Sequence, residues 1–168
     1  MLKNDASMSV RSATAEDYPR VLRLIEQGDK FHQAGRPDIF AAYQGVARTE
    51  DYFAGLVSDD DTAFLVASRP PDIIGYIHAT LKRPDTPGLQ IFVKRSYVAI
   101  QSIVVDEAFQ DMGIGRMLMD QAQRWAESKG AETIELNVFE FNHKALQFYL
   151  KMGYVTMSRK LEMRLPQP

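Results

Sequence analysis

The 168 residues contain no cysteine, which excludes disulfides, thiolate metal sites and a cysteinyl acyl-enzyme. No apolar run approaches the roughly 20 residues that span a bilayer. The opening residues, MLKNDASMS, lack the apolar stretch of a secretory signal. These absences predict a cytoplasmic protein with no membrane partner. A basic excess is missing too: 20 Lys and Arg stand against 22 Asp and Glu, a formal net charge of −2. The electrostatic footprint of a nucleic-acid binder is therefore lacking. No metal-ligand cluster, internal repeat or low-complexity segment is apparent. Hydrophobic residues at 45% and charged residues at 25% are the values of an ordinary globular chain and argue against disorder. The length suits a single domain over 1–168, its core spanning about 10–165.

The stretch from Ser102 to Gly130 organises the rest. Ile103, Val104 and Val105 are an apolar, β-branched run that favours an extended backbone. An acidic turn follows, and then a segment with apolar residues at Ile114, Leu118, Ala122 and Trp125, the spacing of a buried helical stripe. Lys129 and Gly130 supply its stop. A buried strand entering a helix through a glycine-bearing turn leaves backbone N–H groups without intrahelical partners, all directed at one spot. The helix dipole adds about half a positive charge there. Glycine lets a ligand approach the backbone. The chemistry points to a phosphate or pyrophosphate.

In chain order, Val10 to Ala13 reads as a first strand, and Thr14 caps a helix carrying Val21, Leu22, Leu24 and Ile25 and ending near Gly28. Asp29 to Gly45, with Phe31, His32, Pro37, Ile39, Phe40 and Tyr43, reads as a loop between short helical pieces. A further piece runs from Thr49 to Leu56, capped by Thr49. Thr62–Ser68 and Ile73–Leu81 form a hairpin across Arg69–Asp72. Arg83 to Gly88 is a turn, and Leu89 through Phe92, Val93 and Tyr97 to Val105 is one long strand or two joined at Lys94–Ser96. Thr133 to Val138 alternates as a strand, Asn142 caps a short helix ended by Gly153, and Tyr154 to Leu165 is a final strand or strand pair. The strand–helix–strand unit from Ile103 to Val138 implies a right-handed crossover between parallel strands. The expected class is α/β, in the α+β mixed sense, with a mostly antiparallel central sheet covered by helices on both faces.

Gln110-x-x-Gly113-x-Gly115 alone is a weak signal. A dinucleotide fingerprint would need a third glycine where Leu118 stands, and no Gly-Lys followed by Ser or Thr forms a P-loop. A second stretch, Asn142-x-x-Ala145-x-x-x-Tyr149-x-x-x-Gly153-Tyr154, alters the weight. With both motifs in place, one helix and one strand apart, the sequence resembles the GNAT superfamily of acyl-CoA-dependent N-acyltransferases over about residues 10 to 165.

That resemblance implies acetyl-CoA as cosubstrate, with backbone amides from Gln110 through Asp111, Met112, Gly113, Ile114 and Gly115 to Arg116 holding its pyrophosphate. It implies that the strand pair splays at Ile103, Val104 and Val105, whose main chain takes the pantetheine arm. Asn142 would contact the same arm, and Tyr149 would stand beside the thioester sulfur to give the departing thiolate a proton. On spacing alone Tyr149 reads equally as a packed aromatic, Asn142 as a plain cap, and Arg116 as a phosphate partner or a solvent-facing side chain. Several family members carry a glutamate where this chain has Asn137. Glu135, His78, Tyr97 and Gln101 are the groups considered for taking the amine's proton, with Glu135 placed on the face of Asn137 by strand alternation. The segment from His32 to Phe40 is similar to one that lines the family's acceptor cleft, where Asp38 would suit a cationic amine.

The expected activity is acetyl transfer from acetyl-CoA to a primary amine by direct attack, without a covalent enzyme intermediate and with no metal. A small amine is favoured over a protein N-terminus or lysine. A non-catalytic acyl-CoA-binding sensor is the other reading. Edges of the last strands would pair two chains as a homodimer.

Overall fold

A computed structural model of the chain describes residues 7–42, 45–84, 91 and 93–166. Tyr43, most of the Arg83–Gly88 turn, Leu89 and Phe92 lie outside the described residues. The chain packs as two units, 1–137 and 138–168, each taken by itself below.

The first unit is a mixed sheet of five strands, β1 (Ser9–Ser12), β2 (Thr62–Arg69), β3 (Asp72–Lys82), β4 (Tyr97–Val105) and β5 (Thr133–Leu136), lying in sequence order. Neighbours run antiparallel except β4 and β5, which are parallel, as the crossover demands. The helices are α1 (Tyr18–Gly35), α2 (Glu50–Ser58) and α3 (Ile114–Ser128). Val21, Leu24 and Ile25 of α1, Phe53 of α2, Phe64 and Val66 of β2, and Tyr76 of β3 form one buried cluster on one side of the sheet. On the other side α3 buries Ile114, Leu118, Met119, Ala122 and Ala126. The stripe runs as expected, save that Ala126 takes the deep position and Trp125 is half-buried with Lys129 Nζ 5.9 Å from its ring centroid. Gly75 of β3 is where α3 presses closest. A Cβ there would meet Val104 O at 3.0 Å and Ile114 Cγ2 and Leu118 Cδ1 at 3.3 Å.

Thr14 caps a single 3-10 turn, Ala15–Asp17, that feeds α1. Asp17 is buried and takes a fork from Arg11 at 2.7 and 2.8 Å plus the Thr14 N–H at 2.9 Å. These bonds hold its carboxyl below the usual carboxylate range. Thr49 caps α2, its side chain accepting from Tyr52 N.

Three expectations are corrected. The first helix does not stop near Gly28 but continues to Gly35, so His32 sits inside it with Nδ1 2.9 Å from Gly28 O. The strand before Val105 begins at Tyr97, residues 93–96 being irregular. In the second unit, which holds α4 (His143–Lys151), residues 154–166 form no strand. Val155, Met157, Leu161, Met163 and Leu165 are all exposed there. Alternation gives a strand its face but not a paired edge.

Candidate coenzyme and acceptor site

The turn between β4 and α3 is built from a short 3-10 segment, Glu107–Phe109, and four residues ending at Gly113. Asp106 caps the segment, accepting from Ala108 N at 3.0 Å. Asp111 and Gly113 both have positive φ, 62° and 81°, and this alternation curls successive amides into a concave, anion-accepting shape. The first intrahelical bond of α3 is Met117 N to Gly113 O at 3.1 Å. The amides of Ile114, Gly115 and Arg116 therefore precede the ladder, and the N-cap residue, Gly113, has no side chain to cap them. Among the described residues nothing lies within 4 Å of where a Gly113 Cβ would be. These features fit a pyrophosphate. Arg116 is largely exposed, with Nε 3.8 Å from Asp120 Oδ2, one helical turn on. Met112 is exposed as well.

β4 changes partners along its length. Tyr97 to Ile100 pair with Thr133 to Leu136 of β5, and there β5 ends. On the β3 side, pairing continues from Ser102 to Val105 after a register shift that leaves Gln101 unmatched, a β-bulge. Ile103, Val104 and Val105 thus pair with β3 on one side while β5 no longer runs along the other, as the splayed pair requires. The end of β4 is anchored from α1. Gln27 Nε2 donates to Val105 O at 3.0 Å, Gln110 Nε2 to the same oxygen at 3.3 Å, and Arg23 Nη1 lies 2.5 Å from Asp106 Oδ2. Sequence reasoning missed this anchor. Its only local sign is that Arg23 and Gln27 are four apart, on one helix face.

A small cavity opens on the α1 and α2 side of the sheet, beside Ser102. Ile25, Phe53, Leu56 and Phe64 give it carbon walls, and Arg48, Tyr52, Tyr76, His78 and Ser102 complete it. Phe64 stacks on both Tyr76 and His78, with centroids 5.1 and 5.5 Å apart. His78 sits directly across from Ser102 in the register. Burial, with help from Lys82 and Arg48, pushes its ring down to about 4, so it is neutral at physiological pH. Burial raises the Tyr76 phenol, although a hydrogen bond with Ser102 opposes it. Arg48 is fixed by the Tyr18 hydroxyl, which donates to its carbonyl at 2.8 Å, and by Asp29 at 2.6 Å. Of these residues, sequence reasoning points only to His78 as a candidate for the chemistry. The segment from His32 to Phe40 supplies none of the lining, and Asp38 is engaged by an Arg36 fork at 2.8 and 2.9 Å.

The remaining proton-transfer candidates lie elsewhere on the sheet. Glu135 of β5 pairs with Ala99, toward the start of β4, and its Oε1 is 2.5 Å from Arg95 Nη2 without hydrogen-bond alignment. Tyr97 lies under the same Arg95, 5.3 Å from guanidinium carbon to ring centroid. Gln101 is exposed at the bulge.

In the second unit Asn142 caps α4, its Oδ1 accepting from Ala145 N at 3.1 Å. Gly153, at φ 93°, ends it, with Tyr154 N closing onto Tyr149 O at 3.1 Å. Tyr149 is buried against Phe148 and Tyr154. Burial and the Tyr154 phenol push its hydroxyl up to about 12. The proton stays on Tyr149 through the physiological range.

Among the described residues no helix is long and apolar enough to cross a membrane. Residues 23–154 match the acetyltransferase (GNAT) family, and the chain belongs to it. An uncharacterized N-acetyltransferase of Methanocaldococcus jannaschii is 29% identical over 87% of this chain, which spans 60% of that relative's length. Another, of Archaeoglobus fulgidus, is 27% identical over 84% of this chain and 89% of the relative. Among solved structures, a tetramutant of the BH1408 protein of Bacillus halodurans superposes with a TM-score of 0.86 at 29% identity, covering 94% of this chain and 99% of the other. Aminoglycoside N-acetyltransferase AAC(6')-Iy, in complex with CoA, shares the fold with a TM-score of 0.71 at 16% identity, over 98% and 99% of the two chains.

Proposed function

We propose that this chain transfers the acetyl group of acetyl-CoA to a small primary amine in the cytoplasm. The observation that carries the reading is the pairing, in one unit, of uncapped amides at the start of α3 with a β4 end that β5 no longer accompanies. The amides fall on the first family motif, and the β4 end on the strand that leads into it. The turn from Gln110 to Arg116 holds the pyrophosphate, and the main chain of Ile103, Val104 and Val105 holds the pantetheine arm.

Acetyl-CoA supplies a thioester; the chain supplies position and hydrogen-bond donors. An amide of the Val104–Val105 segment donates to the thioester oxygen as charge develops on it. The amine lone pair forms the C–N bond, the C–S bond breaks, the amine's proton is lost, and the departing thiolate accepts a hydrogen bond from the Tyr149 hydroxyl until a solvent proton reaches it. A phenol held near 12 is still protonated when the thiolate appears. Glu135 is the carboxylate we propose to take up the amine's proton, and since it lies on β5 toward the start of β4, away from His78, the proton travels to it through water rather than by direct contact. His78 is too weak a base to strip an ammonium, and it accepts a hydrogen bond from the free amine instead.

Coenzyme A release measured over a panel of amines tests this reading. Turnover with at least one small primary amine supports it. Acetyl-CoA binding with no turnover on any amine would leave a non-catalytic binding module.

A further inference from the structure

We infer that the 154–165 segment of one copy adds as a strand to the open edge of β5 in a second copy, and that two chains exchange these strands reciprocally as a dimer.

Three observations carry it. The segment is patterned as a strand but pairs with none. Its odd positions hold Val155, Met157, Leu161, Met163 and Leu165, interrupted only by Arg159, and its even positions hold Thr156, Ser158, Lys160, Glu162 and Arg164. All five apolar side chains are at least 67% exposed. An apolar stripe of this extent marks an interaction surface. Second, β5 ends the order of the sheet, and among the described residues no strand pairs with its outer edge. Such an edge presents N–H and C=O groups that an added strand satisfies. Third, segment and edge are complementary on both faces. Ile134 and Leu136 lie beside Val98 and Ile100 in the register. Those two are buried, whereas Ile134 and Leu136 are only half-buried where the sheet ends. A strand beyond them, with its odd positions on that face, continues the apolar layer. Its even positions then lie on the face of Thr133 and Glu135. Residues 132–137 carry two acids, Glu132 and Glu135, and no base, while 154–165 carries Arg159, Lys160 and Arg164 against Glu162.

A second copy is the occupant that satisfies both surfaces at once. In one chain the stripe is uncovered and the edge unpaired. In a two-fold pair each chain gives its segment and receives the other's. A stable interface takes about 800 Å2 from each partner. Exchange makes the contact twice, each time with five large apolar side chains and a strand edge.

The test is light scattering of the full chain after size exclusion, joined to amide hydrogen exchange. The mass should be twice the 19.1 kDa of one chain, with protected amides in 155–165 and on the outer edge of 133–136. Leu161→Asp and Met163→Asp, at positions exposed in the single chain, should each weaken the dimer at least about tenfold. Both stretches should then exchange faster, while far-UV circular dichroism of the rest of the fold and acetyl-CoA affinity stay unchanged. A single-chain mass would overturn the inference, whether 155–165 exchanges freely or is protected by its own chain. A dimer in which 155–165 exchanges freely would overturn it too, as would a dimer that the two variants leave intact.

Discussion

Gly28, in the middle of α1, faces Val104 so closely that a Cβ on the glycine would lie 3.0 Å from Val104 Cγ2. The helix is therefore seated on the strand segment assigned to the pantetheine arm, and the glycine is a packing residue rather than a stop. An alanine at 28 gains about 1 kcal/mol of helix propensity but overpacks against a β-branched side chain with little rotamer freedom, at about 1–3 kcal/mol. Gly28→Ala should lower stability by about 1 kcal/mol in urea unfolding and weaken acetyl-CoA binding. In a Val104→Ala background the same change should become stabilising. Equal effects in both backgrounds would mean that the two residues do not press on each other.

Gly113 is demanding in a different way. Its φ of 81° is left-handed, yet open space surrounds its missing Cβ. The cost of Gly113→Ala is therefore backbone strain alone, about 1–2 kcal/mol, with asparagine tolerated better. Thermal unfolding of the two variants checks the order, and the coenzyme dissociation constant should rise more for alanine than for asparagine.

Tyr149→Phe should reduce kcat by about a hundredfold and leave the acetyl-CoA dissociation constant unchanged. Because the phenol is held up near 12, the kcat profile should show no falling limb below pH 10. A limb below that point that disappears in Tyr149→Phe would contradict the environment described for this residue.

His78 makes stability sensitive to mild acid. Its folded ring is held down to about 4, against about 6.5 in an unfolded chain. As pH falls through that window the unfolded chain takes a proton that the folded one refuses, so stability is lost between pH 6.5 and 4. The partly exposed ring is screened, which brings the loss to about 2 kcal/mol. His78→Gln should flatten stability across this window, measured by urea unfolding at stepped pH. The depressed carboxyl of Asp17 acts only below it.

What sequence revealed was local. The α3 stripe, the caps at Thr49 and Asn142, and the stops at Gly130 and Gly153 follow from residues a few positions apart, and the parallel β4–β5 pair follows from the order strand, helix, strand. What it hid was tertiary. Gly28 reads as a helix stop because Val104, the reason for the glycine, is far along the chain. The bulge at Gln101 depends on how β4 meets β3. The cavity draws Ile25, Arg48, Phe64, Tyr76 and Ser102 from five separate stretches, so no motif marks it. Residues 154–166 show the converse, an alternating pattern without the paired edge that would make it a strand.

The most direct measurement is calorimetric titration of the protein with acetyl-CoA, repeated with Gly113→Ala. The account predicts one site per chain, and weaker binding in the variant because the amides at the start of α3 grip the coenzyme. An absence of heat and of any thermal shift for the unaltered protein would contradict it.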